Sequence, residues 1–249
     1  AAVDLTNGTV ANGTNIRIWN YNLTEGQRWK LESTTTSTAA PKISGQTKPA
    51  TMKAGSSFSI RGTVTSDLPL TEVTVGVYDT AGSMKIGKTV RPNTTSYDLR
   101  NVDTSIKFGS LTTGGYRYKV TAKTSAGTTT LVNSAFMVLG SGRTVADGTY
   151  YIESMKNNGY GLNVSGNSNA SGANVVLGAK SSSNYMKYVF TYQGNGYYKI
   201  KNAASGRYLG VSGQKSASGS NVEQASGGTR WQVIPDGKGS YYLVPECSG

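Results

Sequence analysis

Residues 205–221 read SGRYLGVSGQKSASGSN, and residues 158–174 read NGYGLNVSGNSNASGAN. These are one 17-residue unit written twice. Each opens on a small or polar residue followed by glycine (Asn158-Gly159, Ser205-Gly206). Each continues through an apolar-x-apolar pair (Leu162/Val164, Leu209/Val211) and a small-residue loop with a glycine (Gly172, Gly219). Each closes on an asparagine (Asn174, Asn221) followed by a valine (Val175, Val222). A tyrosine pair precedes each unit (Tyr150-Tyr151, Tyr197-Tyr198), and an aromatic residue follows it (Tyr188, Trp231). Self-similarity at a fixed period is the mark of a repeat architecture, in which one unit cannot bury its own apolar face.

A third copy opens at the far end of the chain. Tyr241 to Gly249, YYLVPECSG, supplies the tyrosine pair and a Ser248-Gly249 opening. Its continuation is found at residues 1–32. From Ser248 across to Ala1 and on to Asn15 the count is again 17. Val3/Leu5 fall on the apolar pair, Gly13 on the glycine and Ile16 on the valine, and Gln27-Arg28-Trp29 supplies the aromatic closure. Ala1, Val3, Leu5, Tyr241, Ser248 and Gly249 therefore mark an assembly joint. Three arrangements satisfy it. The 249 residues can be one period of a longer covalent array. Separate subunits can each lend residues 1–32 to a neighbour, head to tail. Residues 1–32 can also fold back on residues 147–249 of the same chain. The linkers, about eight residues each, reach at most roughly 28 Å, so folding back is tight and the in-trans arrangements are favoured.

These units resemble the ricin-type β-trefoil lectins, of the carbohydrate-binding module family 13 kind. That resemblance implies three repeats around a pseudo-threefold axis, with six strands in a short barrel and six in a cap. It covers residues 1–32 and 147–249, with Gln27-Arg28-Trp29 as the family's Gln-x-Trp closure. Met186-Lys187-Tyr188 and Thr229-Arg230-Trp231 are weaker forms.

The middle of the chain follows another pattern. Residues 33–40 (STTTSTAA) and 140–146 (GSGRTVA) read as linkers. Between them, residues 41–139 alternate apolar and polar positions with period two: Phe58/Ile60/Val64, Val73/Val75/Val77, Tyr116/Tyr118/Val120 and Val132/Phe136/Val138. Turn signals at Ala81-Gly82, Pro92-Asn93, Gly114-Gly115 and Ala126-Gly127 divide this stretch into about seven or eight strands, the spacing of a β-sandwich. The stretch is similar to bacterial immunoglobulin-like modules, and its Leu111-x-x-Gly114-x-Tyr116 resembles their tyrosine corner. The expected fold is all-β: a β-trefoil completed in trans by the N-terminal 32 residues, plus an immunoglobulin-like sandwich serving as a spacer.

Composition excludes several chemistries. The chain has no histidine, so Ser-His and Cys-His nucleophiles and histidine metal sites are absent. Its single cysteine, Cys247, allows no internal disulfide. The 13 acidic residues are dispersed, against the facing pair that glycoside hydrolysis needs. No glycine-rich phosphate loop opens a helix. A non-enzymatic protein without cofactor or metal is expected. The net charge of +12 favours anionic partners. Nucleic acid has only scattered Lys156, Lys180, Lys187, Lys201, Arg207 and Lys215 to recommend it. No apolar run spans a membrane.

The resemblance implies a sugar site wherever a repeat carries an Asp inside the apolar pair, an amide two residues before an aromatic platform, and an amide at the closing turn. Only the split repeat fits, with Asp4 between Val3 and Leu5, Trp19 fifteen residues later, and Gln27. Arg17 replaces the platform-side amide and points to acidic glycans. The other repeats place Asn163 with Gly178 and Gly210 with Ala225. The expected function is a secreted or surface-displayed bacterial repeat protein, structural and adhesive, forming a fibre, stalk or filament from copies of itself. The alternative is a carbohydrate-binding appendage of a larger glycan or peptidoglycan hydrolase.

Overall fold

The computed structural model describes residues 1–31 and 39–248. The linker proposed at 33–40 therefore falls mostly outside the described residues, as does Gly249. The chain divides into two units, one within residues 1–38 and one within 39–249.

The first unit is a hairpin. Strand β1 (Ala2–Leu5) pairs antiparallel with β2 (Ile16–Trp19), in the register Val3–Ile18, Asp4–Arg17 and Leu5–Ile16. A short 3-10 turn at Thr6–Gly8 leaves β1, and a second at Glu25–Gln27 closes the segment.

The second unit opens with eight strands: β3 (Lys42–Ser44), β4 (Met52–Lys53), β5 (Thr63–Leu70), β6 (Glu72–Asp79), β7 (Met84–Val90), β8 (Thr94–Asp98), β9 (Gly114–Thr124) and β10 (Gly127–Leu139). They form two sheets, ordered β4-β10-β9-β6-β7 and β3-β5-β8. The period-two residues Val73, Val75, Val77, Tyr116, Tyr118, Val120, Val132, Phe136 and Val138 are all buried in one core with Val64 and Leu70. Alternation sends every second side chain to the same face, so a half-buried strand must be written this way. The Tyr116 hydroxyl donates to the Thr112 carbonyl at 2.9 Å, tying β9 to the connection before it.

One run behaves differently from the reading by alternation. Phe58 and Ile60 precede the paired strand, which starts at Thr63. Gly62 sits at φ +130°, with Gln46 so near that a Cβ there would lie 3.0 Å from its Cα. The Ile60 amide is taken by the Asp103 carboxylate at 2.7 Å instead of by a neighbouring strand. Asp103 also accepts from Arg61 at 2.9 Å. The Ile60 amide and the Arg61 cation hold the Asp103 carboxyl below the usual carboxylate range. Asp98 accepts from the Arg100 amide at 2.9 Å, at the start of the short helix Arg100–Asp103.

The remaining strands are β11 (Gly148–Tyr151), β12 (Glu153–Ser154), β13 (Asn157–Val164), β14 (Val175–Ala179), β15 (Lys187–Tyr192), β16 (Tyr197–Asn202), β17 (Tyr208–Val211), β18 (Val222–Ala225), β19 (Trp231–Pro235) and β20 (Tyr241–Pro245). An antiparallel run β11-β15-β16-β19-β20 curls around a core of Tyr188, Phe190, Tyr198, Ile200, Trp231 and Val233. Two hairpins, β13-β14 and β17-β18, lie outside that run. Gln224 joins them: its side-chain amide donates to the Ser168 and Ala170 carbonyls at 2.7 Å each, and it is buried.

The two parts of this unit are bound to each other. Residues 140–146, read from the sequence as a linker, are held along their length. The Tyr198 hydroxyl accepts from the Thr144 and Val145 amides at 2.8 Å each and donates to the Val145 carbonyl at 2.9 Å. The Tyr192 hydroxyl donates to the Ser141 carbonyl at 2.8 Å. The Thr80 hydroxyl donates to the Asp236 carbonyl, and Gly115 admits the ring of Tyr242, which would stand 3.1 Å from a Cβ there.

Candidate functional site

The three hairpins β1-β2, β13-β14 and β17-β18 share one backbone geometry. Each first strand ends in a 3-10 turn, at Thr6–Gly8, Ser165–Asn167 and Ser212–Gln214. Each turn carries two residues with positive φ: Asn7/Gly8, Gly166/Asn167 and Gly213/Gln214. Seven residues after the turn begins stands the glycine singled out in the sequence, Gly13, Gly172 or Gly219, at φ +88°, +84° and +85°. A side chain at such φ is strained, which explains why glycine recurs there. The asparagines of the 17-residue unit act through their main chain. Thr6, Ser165 and Ser212 donate their amides to the carbonyls of Asn15, Asn174 and Asn221 at 3.2, 2.9 and 2.9 Å. The closing tryptophans agree as well: Trp29 Nε1 donates to the Val3 carbonyl at 3.1 Å, and Trp231 Nε1 to the Leu209 carbonyl at 3.1 Å.

On the first hairpin this geometry gathers three of the four candidate residues. Asp4 and Arg17 are register partners, and Trp19 is two residues beyond Arg17 on the same face. Arg17 Nε donates to Asp4 Oδ2 at 3.1 Å, and its guanidinium lies 4.1 Å from the centre of the Trp19 ring. Asp4 is buried while the Trp19 ring is half exposed. A hollow of about 170 Å³ opens beside it, bounded by Ala1, Ile18, Trp19 and Asn20. The result is a carboxylate, a cation and a flat aromatic surface in line on one small face. A carboxylate and a guanidinium can pair with hydroxyl and acid groups, and a ring can cover an apolar sugar face.

Gln27 does something the sequence reading missed. Its carbonyl oxygen accepts from the Asn22 amide at 3.0 Å, and its Nε2 donates to the Asn20 carbonyl at 2.8 Å. It is buried and pins the loop that follows Trp19. Gly26 lies against Asp4, where a Cβ would come 3.5 Å from Oδ1. Both residues therefore shape the wall of the site. At the corresponding positions, Asn163 stands beside Gly178, with its side-chain oxygen buried and unbonded, and Gly210 packs against Ala225. Neither presents an aromatic platform.

Of the joint residues, Ala1, Val3, Tyr241 and Ser248 are exposed and Leu5 is half-buried. Cys247 is half-buried, packs on the core around Tyr188 and Trp231, and its thiol approaches the Lys215 carbonyl at 3.5 Å. Among the described residues no acidic or cysteine cluster could hold a metal ion, and no helix is long and apolar enough to cross a membrane. Several of the basic residues are engaged within the fold. Lys180 pairs with Glu153, Lys187 donates to Asn184 at 3.0 Å, and Arg207 donates to the Asn169 carbonyl at 2.6 Å.

Residues 184–249 match the family model for the Ricin-type beta-trefoil lectin domain-like group. This part of the chain is a ricin-type β-trefoil lectin-like domain. No curated protein matches the chain. Among solved structures, the designed 3-fold symmetric protein ThreeFoil is 33% identical, with 41% of this chain and 76% of that one covered and a TM-score of 0.40. The PSL1a-E64 complex is 20% identical over 41% of this chain and 44% of that one, with a TM-score of 0.34. The exo-beta-1,3-galactanase 1,3Gal43A from Clostridium thermocellum is 14% identical over 84% of this chain, half the length of that enzyme, with a TM-score of 0.38. These scores add no weight to the repeat geometry described above.

Proposed function

We propose that the chain is a non-enzymatic, extracellular bacterial repeat protein with a structural and adhesive role, whose trefoil binds a glycan on the β1-β2 hairpin. Asp4 accepts sugar hydroxyls, Trp19 covers an apolar sugar face, and Arg17 adds a preference for acidic glycans. Gln27 holds the loop that borders them. The observation carrying this reading is the alignment of Asp4, Arg17 and Trp19 on one face, with 3.1 Å between the ions and 4.1 Å between cation and ring. The lectin-like match at residues 184–249 supports it.

In this reading residues 41–139 are an immunoglobulin-like spacer, and the hairpin of one copy completes the trefoil of the next. Copies then join head to tail into a fibre or stalk. Thr80 bonds the spacer to Asp236, and Tyr192 and Tyr198 hold the connection between the two parts, as a stiff repeat requires.

A glycan array probed with the 249-residue protein at high concentration tests the binding. Retention on acidic glycans is expected, with a loss of at least about tenfold for Asp4→Ala and for Trp19→Ala, the scale of one charge-assisted hydrogen bond or one stacked ring. Arg17→Gln should move preference towards neutral sugars. Silence on every glycan, or binding indifferent to both Asp4→Ala and Trp19→Ala, would overturn the reading.

A further inference from the structure

The run β11-β15-β16-β19-β20 is a barrel with a gap. Its middle strand, β16, pairs on one side with β15 and on the other with β19. Strands β11 and β20 occupy the equivalent place in their own repeats, since Tyr150, Tyr198 and Tyr241 match by register: Tyr150 faces Tyr188, and Tyr198 and Tyr241 face the residues four beyond Tyr188 and Trp231. Yet along this run β11 pairs only with β15, and β20 only with β19. Between these two half-paired edges runs an apolar groove of about 280 Å³, with Tyr150, Ile152, Phe190, Val233, Tyr241 and Leu243 on its walls. Burial follows pairing. Tyr198 in β16 is 0% exposed, while Tyr241 and Tyr242 in β20 are 50% and 40% exposed.

We infer that this groove is an acceptor for one strand, and that its occupant is the segment around Trp29–Leu31 of a second copy of this chain. The inference rests on the head-to-tail reading above, but not on glycan binding. The two barrel strands that do follow a hairpin fix the register. Tyr188 faces Tyr150 across β11-β15, and Trp231 faces Tyr198 across β16-β19. Trp29 holds the matching place and makes the same indole bond as Trp231, so it faces Tyr241. On its other side, Tyr188 faces Asn202, four residues beyond Tyr198. The fourth residue beyond Tyr150 is Ser154, which places Trp29 between Tyr241 and Ser154. Leu31 then falls where Phe190 and Val233 stand, two residues beyond Tyr188 and Trp231. Both of those side chains are buried and line the groove. Leu31 itself is 95% exposed.

The outer hairpins give the same answer independently. Gln224 is buried because it reaches the loop of the β13-β14 hairpin. The matching residues, twelve beyond Ser165 and Thr6, are Leu177 and Ile18, and both are exposed. Threefold closure brings Leu177 onto the β1-β2 loop, and Ile18 onto the loop between Lys215 and Gly219. Docking of this kind satisfies two sheet edges at once, and an open apolar edge is a standing invitation to pair.

Two variants divide the joint into halves. Leu31→Asp removes the donor and Tyr241→Asp removes the acceptor. Both sites are at least half exposed, so each chain retains its fold. Sedimentation of the 249-residue protein should show species above 26.2 kDa that grow with concentration. Each variant alone should associate at least about a hundredfold more weakly, because either aspartate would be buried unpaired. An equimolar mixture of the two should form a dimer and stop there, since one functional donor meets one functional acceptor. Association of both variants at wild-type strength would overturn strand docking while leaving head-to-tail assembly standing. A wild-type chain that stays at 26.2 kDa at all concentrations would overturn both.

Discussion

Trp29 and Trp231 form the same hydrogen bond at the same length, to carbonyls three residues before the matching 3-10 turns. Trp231 is 4% exposed and Trp29 is 51% exposed. The hairpin's shape is therefore written locally, in glycines, turn residues and one indole bond. Its burial is not. It depends on which strands come to lie on either side, and a hairpin with too little core cannot supply those itself.

The comparison is broken most directly by truncation. Trp231→Ala should destabilise the protein by about 3–5 kcal/mol, the cost of emptying a large aromatic site in a core. Trp29→Ala should cost less than about 1 kcal/mol at dilutions where copies are apart, since an exposed site leaves no cavity. Its cost should approach that of Trp231→Ala once copies associate. Chemical denaturation at two protein concentrations reads both.

A smaller effect is expected at the tyrosines. The Tyr198 hydroxyl accepts two amides and donates to a carbonyl, so Tyr198→Phe should cost about 1–3 kcal/mol through buried groups left unpaired. Tyr241→Phe, at the matching place in β20 and half exposed, should be within about 0.5 kcal/mol of neutral. If the two substitutions cost the same, burial is not what separates β16 from β20.

The smallest effect concerns Tyr188, the third residue of the Trp29/Trp231 set. It is buried and places a hydroxyl where the others place an indole, and burial pushes that hydroxyl up to about 12. Burial disfavours the phenolate in the folded chain only. This ionisation leaves the fold unaffected below the ordinary value of 10.0 and weakens it as pH rises from there towards 12. Tyr188→Phe should be nearly neutral at pH 7 and should flatten the fall in melting temperature between pH 10 and 12. An unchanged slope would contradict this.

Much of the 17-residue repeat was legible in the sequence because it is enforced by backbone geometry. Gly13, Gly172 and Gly219 need positive φ, and the amide-to-asparagine bonds need a fixed count of residues. The core of residues 41–139 was legible from alternation for the same kind of reason. What escaped depends on distant partners. Nothing near residues 140–146 announces that Tyr198 and Tyr192 will bind them. The run from Phe58 reads as a strand by period, but Gly62 and the reach of Asp103 take its amides elsewhere. At the site, the residue types of Asp4 and Trp19 could be read from spacing. That Arg17 lies over the ring, and that Gln27 turns inward to hold a loop, are matters of packing that spacing does not encode.

Amide hydrogen exchange on the 249-residue protein, followed strand by strand as it is diluted, tests the gap in the barrel most directly. At high concentration the edges of β11 and β20 should be protected as β16 is. On dilution those two edges should exchange progressively faster, while β16 keeps its protection. Equal protection of all three strands at every dilution would mean that the chain closes its own barrel. Fast exchange of β11 and β20 at every concentration would mean that no second copy enters the groove, and either result would contradict a trefoil completed between copies.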